Sequence, residues 1–303
     1  MASLASEVAL ADHTITTRDN YALEARTYRP TRAKSDENLP IYVHFHGGGF
    51  YFGTLSSEDA ICSRIAINTG VVVLNVNYRH APEYPYPVAW NDSEDALNWA
   101  SQHSETFKGD KSRIIVGGIS AGGWLSASLT LTNLRRNLED RVNIIGQVLM
   151  IPATVYYDCR ESQLKLLKDP GVSSFKQNEF APVLSLERVK QFNGLLHITN
   201  PDPSDLRLNP GLATPKEVQN LPPTTFGIAG SDPLRDEGLL YAKYLTENGV
   251  PTRTNVFKGV PHGFRRFGDK LSACKHWDRV MEEGILWALT NPPASKEFNI
   301  QVY

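Results

Sequence analysis

The chain has 303 residues, 41% of them hydrophobic and 21% charged, and a formal net charge of −2. This composition is typical of a globular protein, and the length suits one large α/β domain with an insertion or two ordinary domains. A near-neutral chain without a Lys/Arg-rich run argues against nucleic acid or an anionic membrane surface as the main partner.

The first part of the chain predicts strands and helices in turn. Residues 15–28 alternate as one or two edge strands would, and residues 39–45 predict a strand that runs into a glycine loop at 46–49. A predicted helix at 57–68 is followed by a nearly continuous apolar run at 71–76. Such a run is typical of a strand that is covered on both faces.

The middle of the chain continues this alternation. A proline-rich loop at 78–87 precedes an amphipathic helix at 89–99, and a β-branched run at 114–116 leads through a glycine-rich bend into a helix at 125–134. Another apolar strand is predicted at 146–151. Strands that alternate with helices over this span predict an α/β protein with a mostly parallel, doubly wound sheet.

Regularity ends between residues 153 and 211, where helical runs at 161–168 and 186–198 lie among turns. We interpret this stretch as a helical insertion, because its aromatic and leucine side chains need a surface to cover. Together with about residues 1–38 it would form a cap on a single domain of residues 1–303. The regular pattern then resumes, with strands predicted at 224–229 and 252–257 and helices at 237–248 and 270–289.

The bend after the strand at 114–116 reads Gly118-Ile119-Ser120-Ala121-Gly122, which fits Gly-x-Ser-x-Gly. In that pattern a tight strand-to-helix turn pushes a serine hydroxyl out of the backbone at strained dihedral angles. The alternative is an ordinary loop of a parallel sheet. A dinucleotide loop is excluded, because Gly-x-Gly-x-x-Gly starting at Gly117 would need glycine where Ile119 stands.

A nucleophilic serine needs a base, and the base needs an orienting carboxylate. In an open α/β sheet such groups gather at the carboxyl ends of the strands. His46 and His262 directly follow predicted strands. Asp232 lies in a tight turn at a strand exit, and Asp236 is the alternative acid. The order Ser120, Asp232, His262 is the chain order of α/β-hydrolases, so we predict these three residues as a catalytic triad.

Acyl transfer also requires an oxyanion hole, in which backbone N–H groups point to where negative charge develops. The glycine loop at 46–49 suits this purpose, because glycine lets the backbone approach a substrate closely. We predict Gly47 and Gly48 as donors, together with the N–H of Ala121 just after the nucleophile. His46 is expected to fix the loop by hydrogen bonds.

Five motifs together resemble the hormone-sensitive-lipase-like (type IV) carboxylesterases of the α/β-hydrolase superfamily, in the family's order from about residue 40 onward. They are His46-Gly47-Gly48-Gly49-Phe50, Tyr78-Arg79-His80-Ala81-Pro82-Glu83, Gly118-Ile119-Ser120-Ala121-Gly122-Gly123, Asp232-Pro233-Leu234-Arg235-Asp236 and His262-Gly263-Phe264. The resemblance implies an α/β-hydrolase fold with a helical cap and a serine esterase that needs no cofactor or metal. It implies short to medium acyl esters as substrates, and it suggests a homodimer through an edge strand near residues 252–257.

The chain departs from the family pattern at three positions. Ile119 replaces the usual acidic residue, His80 replaces leucine and Trp124 replaces asparagine. None of these changes removes catalytic machinery, so they bear on substrate preference. We predict Ile119, Trp124 and Tyr156 as substrate contacts, although helix packing is the favoured role of Trp124. Aromatic walls would suit a bulky or ring-bearing ester.

Other reactions would share the same residues. A lactonase or a deacetylase of a secondary metabolite would use the identical triad, as would amide cleavage, and a cyclase or eliminase could use the serine pocket without acyl transfer. A catalytically silent ligand-binding receptor is less favoured. The plant gibberellin receptors, which resemble this family, lack the catalytic histidine, whereas His262 is present here.

The remaining sequence features bear on location. Residues 1–17 lack the basic and apolar regions of a secretory signal, and the longest apolar runs are too short to span a bilayer. Cys62, Cys159 and Cys274 are widely scattered, which indicates reduced thiols rather than disulfides or a zinc site. We therefore predict a cytoplasmic protein without a membrane span, acting on a small-molecule ester or lactone.

Overall fold

One twisted sheet organises the molecule. The computed structural model of the protein describes residues 4–303, with the backbone alone at residue 170. The strands are β1 (Val8–Thr16), β2 (Ala22–Pro30), β3 (Leu39–Phe45), β4 (Val72–Val76), β5 (Gly109–Ile119), β6 (Ile144–Met150), β7 (Thr224–Ser231), β8 (Thr252–Pro261) and β9 (Ile300–Val302). Within the described residues they lie in the order β1-β2-β4-β3-β5-β6-β7-β8-β9.

Most of the sheet is parallel. The pairs β1–β2 and β2–β4 are antiparallel, whereas all the other neighbouring pairs run parallel. Every residue of β4 is buried, as expected for a central strand covered on both faces. The predicted mostly parallel sheet is therefore confirmed.

Helices cover both faces of the sheet. They are α1 (Leu55–Thr69), α2 (Val88–Gln102), α3 (Ala121–Leu134), α4 (Glu161–Leu164), α5 (Ser174–Gln177), α6 (Leu186–Leu195), α7 (Pro215–Val218), α8 (Arg235–Glu247) and α9 (Ala273–Ala288). Ile41 and Val43 of β3 pack with α2 and α3, whereas Tyr42 between them packs with α1 and α9. This alternation follows the two-residue period of a strand and produces the expected doubly wound, three-layer architecture.

The predicted insertion leaves the sheet after β6 and returns before β7. It contains α4, α5 and α6, and its buried side chains Phe175, Leu184 and Val189 join the apolar core formed with α2 and α3. Its helices are shorter than the sequence predicted, since α4 ends at Leu164 and α6 at Leu195. After α6 the backbone of His197 takes a positive φ of 52°, which a right-handed helix does not allow.

The N-terminal segment requires a correction. We expected about residues 1–38 to form part of the cap, but β1 and β2 extend the sheet instead. The physical reason is that β2 pairs with β4 and buries Leu23, Ala25 and Tyr28 completely. The first three residues of that prediction lie outside the described part of the chain.

The proposed dimer edge also requires a correction. The strand predicted at 252–257 is present as β8, but it is paired on both sides, with β7 and with β9. In β9 the residues Ile300, Gln301 and Val302 face Thr254, Asn255 and Val256. Residues 252–257 therefore offer no free edge to a second copy. The sequence analysis missed β9, because only three residues pair.

Among residues 4–303, no helix is both long and apolar enough to cross a membrane.

Candidate active site

Ser120 occupies the junction between β5 and α3. Its backbone has φ 56° and ψ −114°, a conformation that residues other than glycine rarely adopt. Its N–H donates to the Met150 carbonyl at 2.8 Å. A Cβ on Gly118 or Gly122 would overlap the carbonyl oxygen of Phe45. Only glycine therefore lets β5, the turn and α3 approach so closely, and the predicted strained turn is present at Ser120.

Ser120, His262 and Asp232 form one line of hydrogen bonds. The Ser120 hydroxyl lies 2.8 Å from Nε2 of His262, and Nδ1 of the same ring lies 2.6 Å from Oδ2 of Asp232. Because a carboxylate only accepts, Nδ1 carries the ring proton and Nε2 is free to accept from the hydroxyl. The imidazole is thus held in the tautomer that a general base requires.

Two adjacent parallel strands bring the acid and the base together. Asp232 follows the last residue of β7, Ser231, and His262 follows the last residue of β8, Pro261. Ser231 pairs with Pro261, so the two functional residues leave the sheet side by side. Both are nearly buried, with exposures of 1% and 6%, which strengthens their hydrogen bond by excluding water.

Asp232 and Asp236 have different partners. The second carboxylate oxygen of Asp232 accepts from the backbone N–H of Leu234 at 2.9 Å, so both of its oxygens are engaged. Asp236 accepts instead from the backbone N–H of Ser174 at 2.6 Å and pairs with Arg235. The geometry favours Asp232 over the alternative acid.

The glycine loop lies against the serine. A Cβ on Gly47 would lie 3.5 Å from the Cβ of Ser120, and a Cβ on Gly48 would overlap the carbonyl oxygen of Phe52. Gly48 has φ 126°, which a residue with a side chain would occupy only with strain. Gly47, Gly48 and Ala121 all border the same cavity as Ser120, where the sequence analysis expected the oxyanion donors.

His46 holds this loop from behind. Its Nδ1–H donates to the Gly47 carbonyl at 2.8 Å, and its ring stacks on Tyr78 with centroids 4.2 Å apart. The Tyr78 hydroxyl donates to the His46 carbonyl at 2.8 Å. Burial lowers the pKa of His46 to about 4, so the ring is neutral at physiological pH. The unusual His80 lies edge-on to both rings.

A cavity of about 760 Å³ opens over Ser120. Its walls combine the glycine loop, the start of α3 and the insertion. Ile119 and Trp124 border the cavity as expected. Trp124 is also packed, because it is 2% exposed and its indole N–H donates to the Leu208 carbonyl at 2.9 Å. Both roles considered for Trp124 are therefore compatible with its position.

The expectation for Tyr156 needs correction. Its side chain is buried in the apolar core, and its hydroxyl donates to the Asn193 carbonyl at 3.4 Å. The adjacent Tyr157 borders the cavity instead. In an irregular segment no periodicity tells which of two neighbouring tyrosines faces inward, so the sequence could not separate them.

The sequence analysis also missed several residues of the cavity wall. Glu237 is 3% exposed and accepts from the backbone N–H of Thr154 at 3.3 Å. Burial raises the pKa of Glu237 well above its ordinary value, because a site without water disfavours the charged carboxylate. In the sequence, the one indication that Glu237 lies near the site is its position directly after the Asp232–Asp236 motif. The other missed residues include Arg64, Arg188, Arg265 and Arg266.

Residues 4–303 contain no cluster of three or more His, Cys, Asp or Glu side chains arranged to hold a metal ion.

Comparison with known proteins places this geometry among related chains. A family model described as alpha/beta hydrolase fold matches residues 42–266. Esterase LipI of Mycobacterium tuberculosis is 32% identical over 243 residues, which are 79% of this chain and 70% of that protein. The versiconal hemiacetal acetate esterase of Dothistroma septosporum is 32% identical over 264 residues, 87% of this chain and 78% of the relative.

A solved structure gives the same result. The crystal structure of vibralactone cyclase superposes with a TM-score of 0.85 at 30% identity, covering 94% of this chain and 81% of that one. These matches confirm the fold class that the sequence predicted, and the family model spans the insertion and every candidate site residue.

Proposed function

Because this chain belongs to the alpha/beta hydrolase fold family, we propose that it hydrolyses small-molecule carboxylic esters through an acyl-enzyme on Ser120. The observation that carries the proposal is the continuous line of hydrogen bonds from Ser120 to His262 and Asp232, at 2.8 and 2.6 Å, facing an open cavity. Its similarity to proteins named as esterases supports the same reaction class.

In the first half of the reaction, Nε2 of His262 takes the proton as the Ser120 oxygen attacks the ester carbonyl carbon. The N–H groups of Gly47, Gly48 and Ala121 stabilise the oxyanion of the tetrahedral intermediate. The bond to the alcohol oxygen then breaks, and His262 returns the proton to the departing alcohol. An acyl group remains on Ser120.

In the second half, His262 takes a proton from water, and the resulting hydroxide attacks the acyl carbonyl. Collapse of the second intermediate releases the carboxylic acid and restores the Ser120 hydroxyl. Asp232 holds the ring in its tautomer and stabilises the imidazolium that forms twice per cycle. The neutral ring of His46 keeps the donor loop in place without adding a charge beside the oxyanion.

The cavity supports short to medium or ring-bearing esters as the substrate class. Its volume of about 760 Å³ holds a small molecule with one ring, and aromatic side chains form part of its wall. Ile119, Trp124 and Tyr157 are the proposed substrate contacts. A second candidate, deacetylation of an aromatic metabolite with the same triad, is favoured by the relative named as a hemiacetal acetate esterase.

The test is hydrolysis of a chain-length series of p-nitrophenyl esters, run beside acetylated phenols and lactones. We expect Ser120→Ala to lose turnover and also to lose the mass increase that an organophosphate gives on the unaltered protein. Ser128→Ala, on the same helix and buried away from the serine hydroxyl, is the matched control and should retain both. Hydrolysis that survives in Ser120→Ala would show that another residue is the nucleophile.

We also propose a cytoplasmic location and a homodimer. Cys62, Cys159 and Cys274 are buried, free thiols, which suits a reducing compartment. The dimer is suggested by the family resemblance alone, and it would have to use a surface other than β8. Cell fractionation and light scattering measure these two properties.

A further inference from the structure

Four arginines border the cavity over Ser120. Arg64 comes from α1, Arg188 from α6 of the insertion, and Arg265 and Arg266 from the segment after His262. Such a concentration is unusual for a pocket whose proposed substrate is a neutral ester, particularly in a chain with a formal net charge of −2. The question is whether carboxylates of the protein neutralise these guanidinium groups.

Two of the four arginines share one carboxylate. Arg265 binds Asp278 through two hydrogen bonds of 2.6 and 2.8 Å, and Arg64 reaches the same carboxylate at 3.1 Å. Arg188 and Arg266 are exposed, and neither forms an ion pair within residues 4–303. The Arg188 guanidinium group donates to a neutral acceptor, the carbonyl of Val183, at 3.2 Å.

The acidic residues of the cavity wall do not balance this charge. The carboxylate of Glu58 accepts from Nε2 of His44 at 2.9 Å and is committed to that buried partner. Glu237 accepts from the backbone N–H of Thr154 at 3.3 Å, and burial raises its pKa, which disfavours a negative charge on it. The cavity mouth therefore carries an excess of positive charge, with two guanidinium groups free to bind an anion.

Both free arginines lie on the His262 side of the cavity. The backbone N–H of Arg266 donates to the carbonyl of Gly263, the residue after His262, at 3.2 Å. Arg188 is anchored to the carbonyl of Val183, whose side chain would lie 3.5 Å from a Cβ on Gly263. The guanidinium group of Arg188 and the backbone of Arg266 therefore both lie close to Gly263, beside the proposed base.

The reaction fixes which part of an ester lies there. His262 must return a proton to the departing alcohol oxygen, so the alcohol portion lies beside His262. We propose that this site prefers esters whose alcohol portion carries a carboxylate, and that Arg188 and Arg266 bind that carboxylate. The inference rests on the proposed ester hydrolysis. A guanidinium group suits the ligand, because its planar fork matches the two oxygens of a carboxylate.

The test compares 4-acetoxybenzoate with its methyl ester, methyl 4-acetoxybenzoate. In both, the acetyl group passes to Ser120, the phenolic oxygen takes the proton from His262, and water then releases acetate. The two alcohol portions differ mainly in one negative charge. Their unequal leaving-group strength cancels when the ratio of the two kcat/KM values is compared between protein variants.

We expect Arg188→Gln combined with Arg266→Gln to lower the ratio of anionic to neutral kcat/KM by about tenfold, the size expected of two exposed ion pairs. Arg113→Gln removes the same kind of charge near the opposite end of β5 and should leave the ratio as it is. In the unaltered protein the ratio should fall as ionic strength rises from about 0.01 M to about 1 M, where the Debye length shrinks to about 3 Å.

Two results would overturn the inference: an unchanged ratio in the double variant, or a ratio that is independent of salt. Calorimetry on Ser120→Ala provides a measurement without turnover, in which 4-acetoxybenzoate should bind more tightly than its methyl ester and lose that advantage in salt. If the unaltered protein fails to hydrolyse even the methyl ester, the proposed function fails, and calorimetry still decides whether the arginines bind the carboxylate.

Discussion

Asp232 and Asp236 are four positions apart, and their hydrogen bonds assign them different roles. Asp232 reaches His262, whereas Asp236 reaches the insertion. We expect Asp232→Asn to lower kcat by about 10⁴-fold, because the asparagine would favour the wrong tautomer of His262. Asp236→Asn keeps the size of the side chain and should cost far less. Steady-state kinetics on p-nitrophenyl butyrate would reverse the assignment if the large loss appeared in Asp236→Asn.

Glu237 should make stability depend on pH. A carboxyl group whose pKa is raised in the folded state binds its proton more tightly there than in the unfolded chain. Its contribution to the stability of the fold is therefore complete below the unfolded pKa of about 4.3. That stability is lost as the pH rises through the folded pKa. Glu237→Gln cannot ionise. We therefore expect its melting temperature, relative to the unaltered protein, to increase between about pH 4 and about pH 8. A difference that stays constant over that range would contradict the raised pKa.

At the scale of single residues, the sequence allows the candidate nucleophile, base and acid to be named, because the reaction requires particular residue types at strand ends. Ser120, Asp232 and His262 could be proposed as a triad from the sequence because each follows a strand that the apolar pattern indicates. The arginine pair 265–266 directly follows the His262 motif, yet its role depends on which carboxylates neutralise it. The carboxylate that neutralises Arg265 belongs to Asp278, thirteen residues later and on another element. No spacing pattern in the sequence predicts this ion pair.

At the scale of elements, the insertion braces the loop that carries the acid. The Ser174 hydroxyl of α5 donates to the Pro233 carbonyl at 2.6 Å, and the Asn178 amide donates to the Asp232 carbonyl at 3.1 Å. These bonds connect the cavity wall to the turn that positions Asp232. The insertion therefore supports the loop of the proposed triad acid as well as forming part of the cavity wall.

We expect Ser174→Ala to lower kcat about threefold to tenfold with little change in KM, because a loosened acid loop weakens the support of His262. Ser173→Ala is the matched control, since Ser173 is also buried but its side chain makes no capping hydrogen bond to α5. Equal losses of kcat in the two variants would show that the Ser174 hydrogen bond has no specific effect on the acid loop. A change confined to KM would mean that the insertion only binds substrate.

Elements with strong patterns were predicted, and those held by tertiary contacts were not. The apolar run of β4 and the helices that flank the triad are clear in the sequence. The placement of β1 and β2 in the sheet depends on pairing with β4, more than forty residues later. Alternation indicates a strand but does not name its partner, so the segment was assigned to the cap.

For the whole molecule, Arg79 connects three parts of the chain. It is 7% exposed, and it binds Asp92 of α2 with its guanidinium and backbone N–H and Asp19 of the turn between β1 and β2. The rings of Tyr21 and Tyr84 cover the guanidinium group. This contact fastens the N-terminal hairpin to the helical layer.

Removing the buried partner should therefore destabilise the protein. We expect Asp92→Ala to lower the free energy of unfolding by about 3–5 kcal/mol, since Arg79 would keep a buried charge without its main partner. Glu247→Ala breaks the exposed pair with Lys243 and should cost only about 0.3–0.5 kcal/mol. Urea denaturation followed by fluorescence compares the two, and similar losses would show that the Arg79 contact is no stronger than a surface pair.

The two ends of the insertion between β6 and β7 meet, because the N–H of Gly211 donates to the Thr154 carbonyl at 2.9 Å, and the proposed triad residues come from other segments. For protein engineering, residues 153–211 are therefore an exchangeable module: a segment from another esterase could be grafted there to change substrate range without altering β5, β7 or β8. The contacts of Ser174 and Asn178 set the condition for success. A graft that omits donors to Pro233 and Asp232 would change selectivity at the expense of turnover.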